Sequence, residues 1–337
     1  MEQQVLAQGR GRKRAGRRGG IEWLTLVLAL VIYGGWGILT WYSAVLPPPV
    51  LLLAGTWLLA WHSSLQHEVL HGHPTRRQAI NDAIGFLPLS LYLPYARYRA
   101  LHLAHHRDAR LTDPLEDPET YYWTAEQWHR LGALGRAITR ANATLLGRLL
   151  IGPPWMIGRF LHRELIDLCR DLPGRRRQWA VHLVGVAVVF IWVVGICGMN
   201  LALYVTGMVL PGVALVQLRA FAEHRAAGPV RHRTAIVDGA PLLGLLFLFN
   251  NLHAAHHLRP GLAWYALPGW YRAHRERLVR LNGGLVYAGY SELFRRFLLR
   301  RHDAPVHPRE PQPADDTARL VPARTPAGWR RLLNESG

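Results

Sequence analysis

The run LTLVLALVIYGGWGILTWYSAVL over Leu24–Leu46, closed by Pro47-Pro48-Pro49 and followed by VLLLAGTWLLAWHSSLQ over Val50–Gln66, decides the fold. A helix needs about 20 predominantly apolar residues to cross a bilayer. The first run meets that length easily. The second is shorter, and neither contains an Asp, Glu, Lys or Arg. Three prolines leave room only for a tight link, so the pair reads as a helical hairpin.

The same pattern returns further on. Trp179–Met199 and Leu201–Leu218 are apolar and meet around Asn200. The chain is thus expected to cross and return twice, with spans near 24–46, 50–66, 179–199 and 201–218. More than a hundred residues between the hairpins then stay on one side. Arg10, Arg12, Lys13, Arg14, Arg17 and Arg18 precede the first hairpin. Arg76, Arg77, Arg97, Arg99, Arg107 and Arg110 lie between the two, and Arg219, Arg225, Arg231 and Arg233 follow the second. Both hairpin tips are uncharged. By the positive-inside rule, the termini and the middle segment face the cytoplasm. A cleaved signal peptide is a poor reading of the N-terminus, because its apolar core would be shorter than Leu24–Leu46.

Composition agrees. Of the 337 residues 50% are hydrophobic, 18% are charged and 13 are Trp, a profile of membrane spans joined by polar segments. The formal net charge of +18 raises nucleic-acid binding as a possibility, but the charge lies between the apolar runs and no nucleic-acid-reading motif accompanies it. Cys169 and Cys197 make no metal-like pair or disulfide framework. The stretches 83–94, 145–157 and 240–252 are apolar but too short or too interrupted to span, and are expected at the membrane surface or re-entrant. Residues 1–20 and 301–337 are expected to be unstructured tails around a membrane domain over 21–300.

Histidine is the outlier, with 18 copies. Three clusters stand out: His67-Glu-Val-Leu-His71-Gly-His73, His102-Leu-Ala-His105-His106 and His253-Ala-Ala-His256-His257. Residues three and four apart share a helix face, so each cluster is expected to aim its imidazoles one way. Imidazole ligates Fe, Zn, Cu and Ni. His67 follows the second span directly, and the other two clusters follow short apolar stretches. All three therefore fall at one membrane face, a coincidence their spacing does not require. His224, just past the fourth span, falls there too. Nine histidines suffice for two metal ions with open positions left. His73 lies beyond Gly72 and before Pro74, where the helix should end, and reads as structural or as support for a ligand.

These boxes, with Gln66–Thr75, Tyr98–Asp108 and Asn250–His257, resemble bacterial members of the integral-membrane fatty acid desaturase and hydroxylase superfamily over about residues 50–290. The resemblance implies an all-α membrane protein with four transmembrane helices in two hairpins, and a cytoplasmic helical cap carrying the boxes. It implies two iron ions, with O₂ as co-substrate. The implied ligands are His67, His71, His102, His105, His106, His253, His256 and His257, with His224 matching an additional ligand by position. The expected activity is desaturation of a fatty acyl or other lipid chain in the bacterial inner membrane. The alternative keeps the site and changes the product: hydroxylation or ketolation of an alkane, carotenoid or sphingolipid chain.

Abstracting hydrogen from a methylene needs an oxidant that no side chain provides, so a cofactor must supply it. Ligating histidines usually donate their other N–H to a carboxylate or carbonyl, and Glu68, Asp82, Asp108, Glu223 and Asn250 are near enough in sequence to serve. The acidic, turn-rich run Asp113–Glu119 reads as a cytoplasmic loop that contacts an electron donor. The chain shows no nucleotide-binding glycine motif, iron–sulfur cysteine pattern or haem domain. A separate ferredoxin- or rubredoxin-like donor is therefore expected. A metal transporter would place ionisable groups mid-membrane, and a zinc hydrolase needs only three ligands; neither suits the pattern.

Overall fold

The computed structural model describes residues 20–309. The N-terminal tail, apart from Gly20, and the C-terminal tail beyond Arg309 lie outside the described residues, as does the side chain of Asp108. The fold is mostly helical. Its helices are α1 (Trp23–Trp41), α2 (Pro48–Leu70), α3 (Gln78–Gly85), α4 (Tyr95–His105), α5 (Ala125–Arg130), α6 (Ala133–Asn142), α7 (Leu145–Leu150), α8 (Gly152–Cys169), α9 (Arg175–Ile196), α10 (Leu201–Glu223), α11 (Pro241–Leu246), α12 (His253–Leu258), α13 (Leu267–Leu281) and α14 (Tyr290–Phe297).

The boundaries follow local chemistry. Pro48 opens α2, where its missing N–H goes unused. The Asn200 side chain caps α10 by accepting from the Leu203 N–H at 3.1 Å. A π-helical turn ends α9 at Ile191–Ile196 and another interrupts α10 at Val205–Val209.

Among the described residues three helices are long and apolar enough to cross a membrane: α1, α9 and α10. Leu30 and Ile38 of α1, and Leu183, Val184 and Val188 of α9, are exposed. Such apolar surface marks contact with lipid, and the protein is membrane-associated. The second expected span differs. Helix α2 has 23 residues, but its last three turns carry His62, Ser63, Ser64, Gln66, His67 and Glu68, which dilute its apolar character.

The four long helices share a core of Trp36, Leu39, Leu58, Leu59, Val189, Val193, Met208 and Val213. Small residues bring α2 and α10 together. A Cβ on Gly55 would stand 2.6 Å from Met208, and one on Gly212 would stand 2.8 Å from Leu59 Cβ. Close backbone approach of this kind is how helices pack in lipid. It also fixes the C-terminal ends of α2 and α10 beside one another.

Two expectations are corrected. The fold is not all-α: Ile236–Gly239 (β1) and Val286–Gly289 (β2) pair in parallel, with Ile236 opposite Val286 and Val237 opposite Tyr287. All four are buried, which suits β-branched and aromatic side chains. Nor does the structured part end at residue 300. Residues 301–307 fold back as a strap: the Trp123 N–H donates to the Pro305 carbonyl at 2.9 Å, and the His307 N–H to the Trp123 carbonyl at 2.9 Å. Polar residues that read as a tail are buried because they are paired. Asp303 meets Arg225 at 2.8 Å, and His302 Nε2 meets the Tyr287 hydroxyl at 2.7 Å.

Candidate metal centre

All nine expected histidines come together, in two groups. One contains His67, His71, His102, His106 and His256; the other contains His105, His224, His253 and His257. Helix geometry explains the division. At about 100° per residue, positions three and four ahead of a residue lie on opposite sides of its own direction. The i,i+4 pairs His67/His71, His102/His106 and His253/His257 therefore each stay in one group. His105 and His256 turn toward the other group, so the single aim expected of each cluster holds for His67 and His71 and is replaced by a split in the other two. His224 follows α10 in an extended conformation (φ −133°, ψ 145°), and its ring meets His105 and His253.

Within the first group His71 Nε2 and His102 Nε2 are 3.1 Å apart, His102 and His106 2.9 Å, and His106 and His256 3.1 Å. Within the second, His105 and His224 are 2.9 Å apart, His224 and His253 2.9 Å, and His253 and His257 3.2 Å.

The other ring nitrogens decide what these approaches mean. His102 Nδ1 faces Glu119 Oε1 at 2.9 Å and His105 Nδ1 faces Asp117 Oδ1 at 2.8 Å. His224 Nδ1 faces the Arg233 carbonyl at 3.2 Å, and His253 Nδ1 faces Asn250 Oδ1 at 3.0 Å and Glu223 at 3.3 Å. Each partner accepts hydrogen bonds, so each Nδ1 carries the proton. The neutral rings then present Nε2 lone pairs. In the contact of His224 with His253, both held neutral by burial, lone pair faces lone pair unless a cation stands between them. His67 Nε2 is buried with no hydrogen-bond partner, an atom left to a ligand the polypeptide does not supply.

Electrostatics point the same way. Burial opposes protonation of His105, but Glu119 and Asp117 outweigh it and push the ring up to about 9. Positive charge is favoured at that position. Burial first, and repulsion among the rings second, hold His71, His253, His256 and His257 well below the ordinary histidine value. His106 falls to about 2 for the same reasons. Neutral imidazole is the ligating form. Two transition-metal ions fit this donor set.

Of the five supporting groups expected from sequence, Asn250 and Glu223 are in place on His253. Glu68 instead accepts from the Trp264 N–H at 3.0 Å and lies 3.8 Å from His73. Asp82 accepts from the Tyr95 hydroxyl at 3.0 Å. His73 meets Glu22 at 2.8 Å, apart from both groups. The partners that sequence reasoning missed are Asp117 and Glu119. Two carboxylates of the acidic loop fold onto the histidines, while Leu115 and Glu116 of the same loop stay exposed.

A cavity of about 320 Å³ opens beside this centre, with Glu119, Glu223 and His224 in its wall. Pockets of this size accept one end of a lipid-sized ligand.

The fatty acid desaturase family model matches residues 43–289, which include all nine histidines. The chain belongs to the fatty acid desaturase family. It is an oxidoreductase of that family, whose members use di-iron centres. The chain is also 26% identical over 241 residues to the beta-carotene ketolase of Paracoccus sp. (strain N81106), covering 68% of this chain and 82% of that one. It is 29% identical over 240 residues to the beta-carotene ketolase of Paracoccus sp. (strain PC1), covering 65% and 77%.

Proposed function

We propose that this desaturase-family protein is a membrane di-iron oxygenase that converts a ring or chain methylene of a carotenoid-like lipid to a hydroxyl or keto group. The division of nine imidazoles into groups of five and four, beside a cavity, carries the oxidase part of the reading. The two ketolase relatives support oxygenation over the desaturation first expected.

In this reading His67, His71, His102, His106 and His256 hold one iron, and His105, His224, His253 and His257 hold the other. Two irons with O₂ supply an oxidising power beyond any side chain. The polypeptide does the rest. Asp117, Glu119, Glu223 and Asn250 fix ring tautomers and orientation. The cavity orients the substrate end against the His224 side of the centre. Helix α2 serves as a fourth span, which places the histidines at the cytoplasmic face of an inner membrane, where a small ferredoxin- or rubredoxin-like protein delivers electrons.

The test is expression in bacteria that accumulate a cyclic carotenoid, with an electron donor co-expressed, beside a His105→Ala, His106→Ala variant. Wild type should yield products that gain one oxygen, with or without loss of two hydrogens, and the variant none. A product lighter by two hydrogens without added oxygen would restore desaturation. Purified protein holding only zinc would sink the oxidase reading.

A further inference from the structure

The cavity wall carries both carboxylates and guanidinium groups. Asp117 and Glu119 are committed to His105 and His102. Two of the arginines that line the cavity have carboxylate partners: Arg97 meets Glu164 at 2.9 Å and Arg219 meets Glu223 at 2.8 Å. Arg148, on α7, differs. It is only 5% exposed. Its Nε donates to the Asn142 carbonyl at 3.0 Å and its Nη1 to Gln217 Oε1 at 3.3 Å. It lies over the rings of Tyr121 at 5.0 Å and Phe221 at 5.7 Å. Every one of these contacts is to an uncharged group, and the carboxylate that acts on it, Asp303, is already paired with Arg225 and His302. Arg159 and Arg163 line the same cavity from an exposed stretch of α8.

An arginine buried on neutral partners retains unused donors. A bare hydrocarbon filling this cavity would strip water from them and offer nothing in return, a cost that hydrogen-bonding sites use to reject analogues lacking an oxygen. At about 320 Å³ the space holds a ring or a few methylene groups, not a whole lipid. The oxygen must therefore sit on the same terminal group as the carbon being oxidised.

We infer that this protein acts on an end group that already bears an oxygen, received by Arg148 while the neighbouring C–H faces the histidines. This rests on the oxygenase reading above. A hydroxylation of the same end group must then come first in the reaction sequence, and an unsubstituted hydrocarbon end is the poorer substrate.

The experiment compares a cyclic carotenoid, its ring-hydroxylated counterpart and a long-chain carboxylic acid. Full-length protein is used throughout, with wild type beside Arg148→Met and Arg148→Lys. Turnover is measured in membranes. Binding to metal-free protein is followed by quenching of tryptophan fluorescence. Expected is a preference of roughly ten-fold or more for the hydroxylated ring over the hydrocarbon, in kcat/KM and in affinity, lost in Arg148→Met and partly kept in Arg148→Lys. Preference for the carboxylic acid would support the oxygen anchor and move the substrate class to acyl chains. Equal binding of hydrocarbon and hydroxylated ring by wild type would overturn the inference, even if both are oxidised. If nothing is oxidised, the oxygenase reading fails, and the binding ratio still decides whether an oxygen anchor exists. Wild type alone gives that ratio if Arg148→Met fails to fold.

Discussion

Asp117 Oδ1 lies 2.8 Å from His105 Nδ1, with both side chains buried. The carboxylate fixes which nitrogen of His105 is free to bind metal. It also makes His105 a stronger donor by favouring positive charge on the ring. Partners of this kind typically matter ten- to a hundred-fold in metal affinity or activity. Asp117→Asn should lower metal content and turnover on that scale while leaving helicity unchanged. Asp82→Asn, at a carboxylate about one-third exposed and away from the histidines, should move neither. Metal content by plasma emission, with circular dichroism alongside, checks both.

Gly212 faces the Leu59 backbone segment so closely that an added methyl has no free volume. Gly212→Ala should cost about 1–3 kcal/mol by overpacking. It should also push α2 away from α10, and with it His67 away from His224. Metal content should fall along with the thermal midpoint in detergent. A midpoint drop with full metal content would show that the helix ends tolerate the displacement.

Asp303 provides a pH test. Burial alone would raise its carboxyl, but His302 and Arg225 outweigh burial and hold it below the usual carboxylate range. A depressed carboxyl contributes stability that is complete above its unfolded value of about 3.9 and is lost as pH falls through the lower folded value. Between pH 7 and pH 5 this contribution should therefore stay constant. Asp303→Asn removes the anion facing the half-buried Arg225 and should cost roughly 3 kcal/mol at pH 7. Thermal midpoints of both forms across that range decide the matter, and a gap that closes by pH 5 would contradict the assignment.

Removing metal should leave the bundle helical, because its core of Trp36, Leu58, Val193 and Met208 lies apart from the histidines. The midpoint should drop, since ions bind only the folded arrangement. Added ferrous ion should restore it. Loss of helicity on chelation would mean that the centre, not the apolar core, holds the helices together.

The histidines were legible because ligand spacing on a helix is local: His102, His105 and His106 declare themselves within one turn. Their division between two ions was less so, since it depends on where α4 lies between α2 and α12. Asp117 and Glu119 were read as a surface loop because a turn-rich acidic run looks alike whether it meets water or folds inward. What sets them apart is a tertiary contact with α4. The strap over residues 301–307 escaped for a similar reason. Its burial depends on Arg225 and Tyr287, distant partners that pattern alone does not supply. Helix α2 shows the reverse conflict. The polar side chains that build one wall of the centre lower its hydropathy, so the helix that follows from the uncharged run Val50–Gln66 is not among the three apolar enough to span.

The interleaving of the two histidine groups bears on how the protein matures. Helix α4 gives His102 and His106 to one group and His105 to the other, and α12 divides His256 from His253 and His257 in the same way. No contiguous piece of chain holds a complete set for either group. A nascent polypeptide that has emerged only as far as α10 carries at most five of the nine ligands in a wall open on the α12 side. On the di-iron reading, metal acquisition would be tied to the last third of the sequence, and a loaded centre would record that both halves of the chain have found each other.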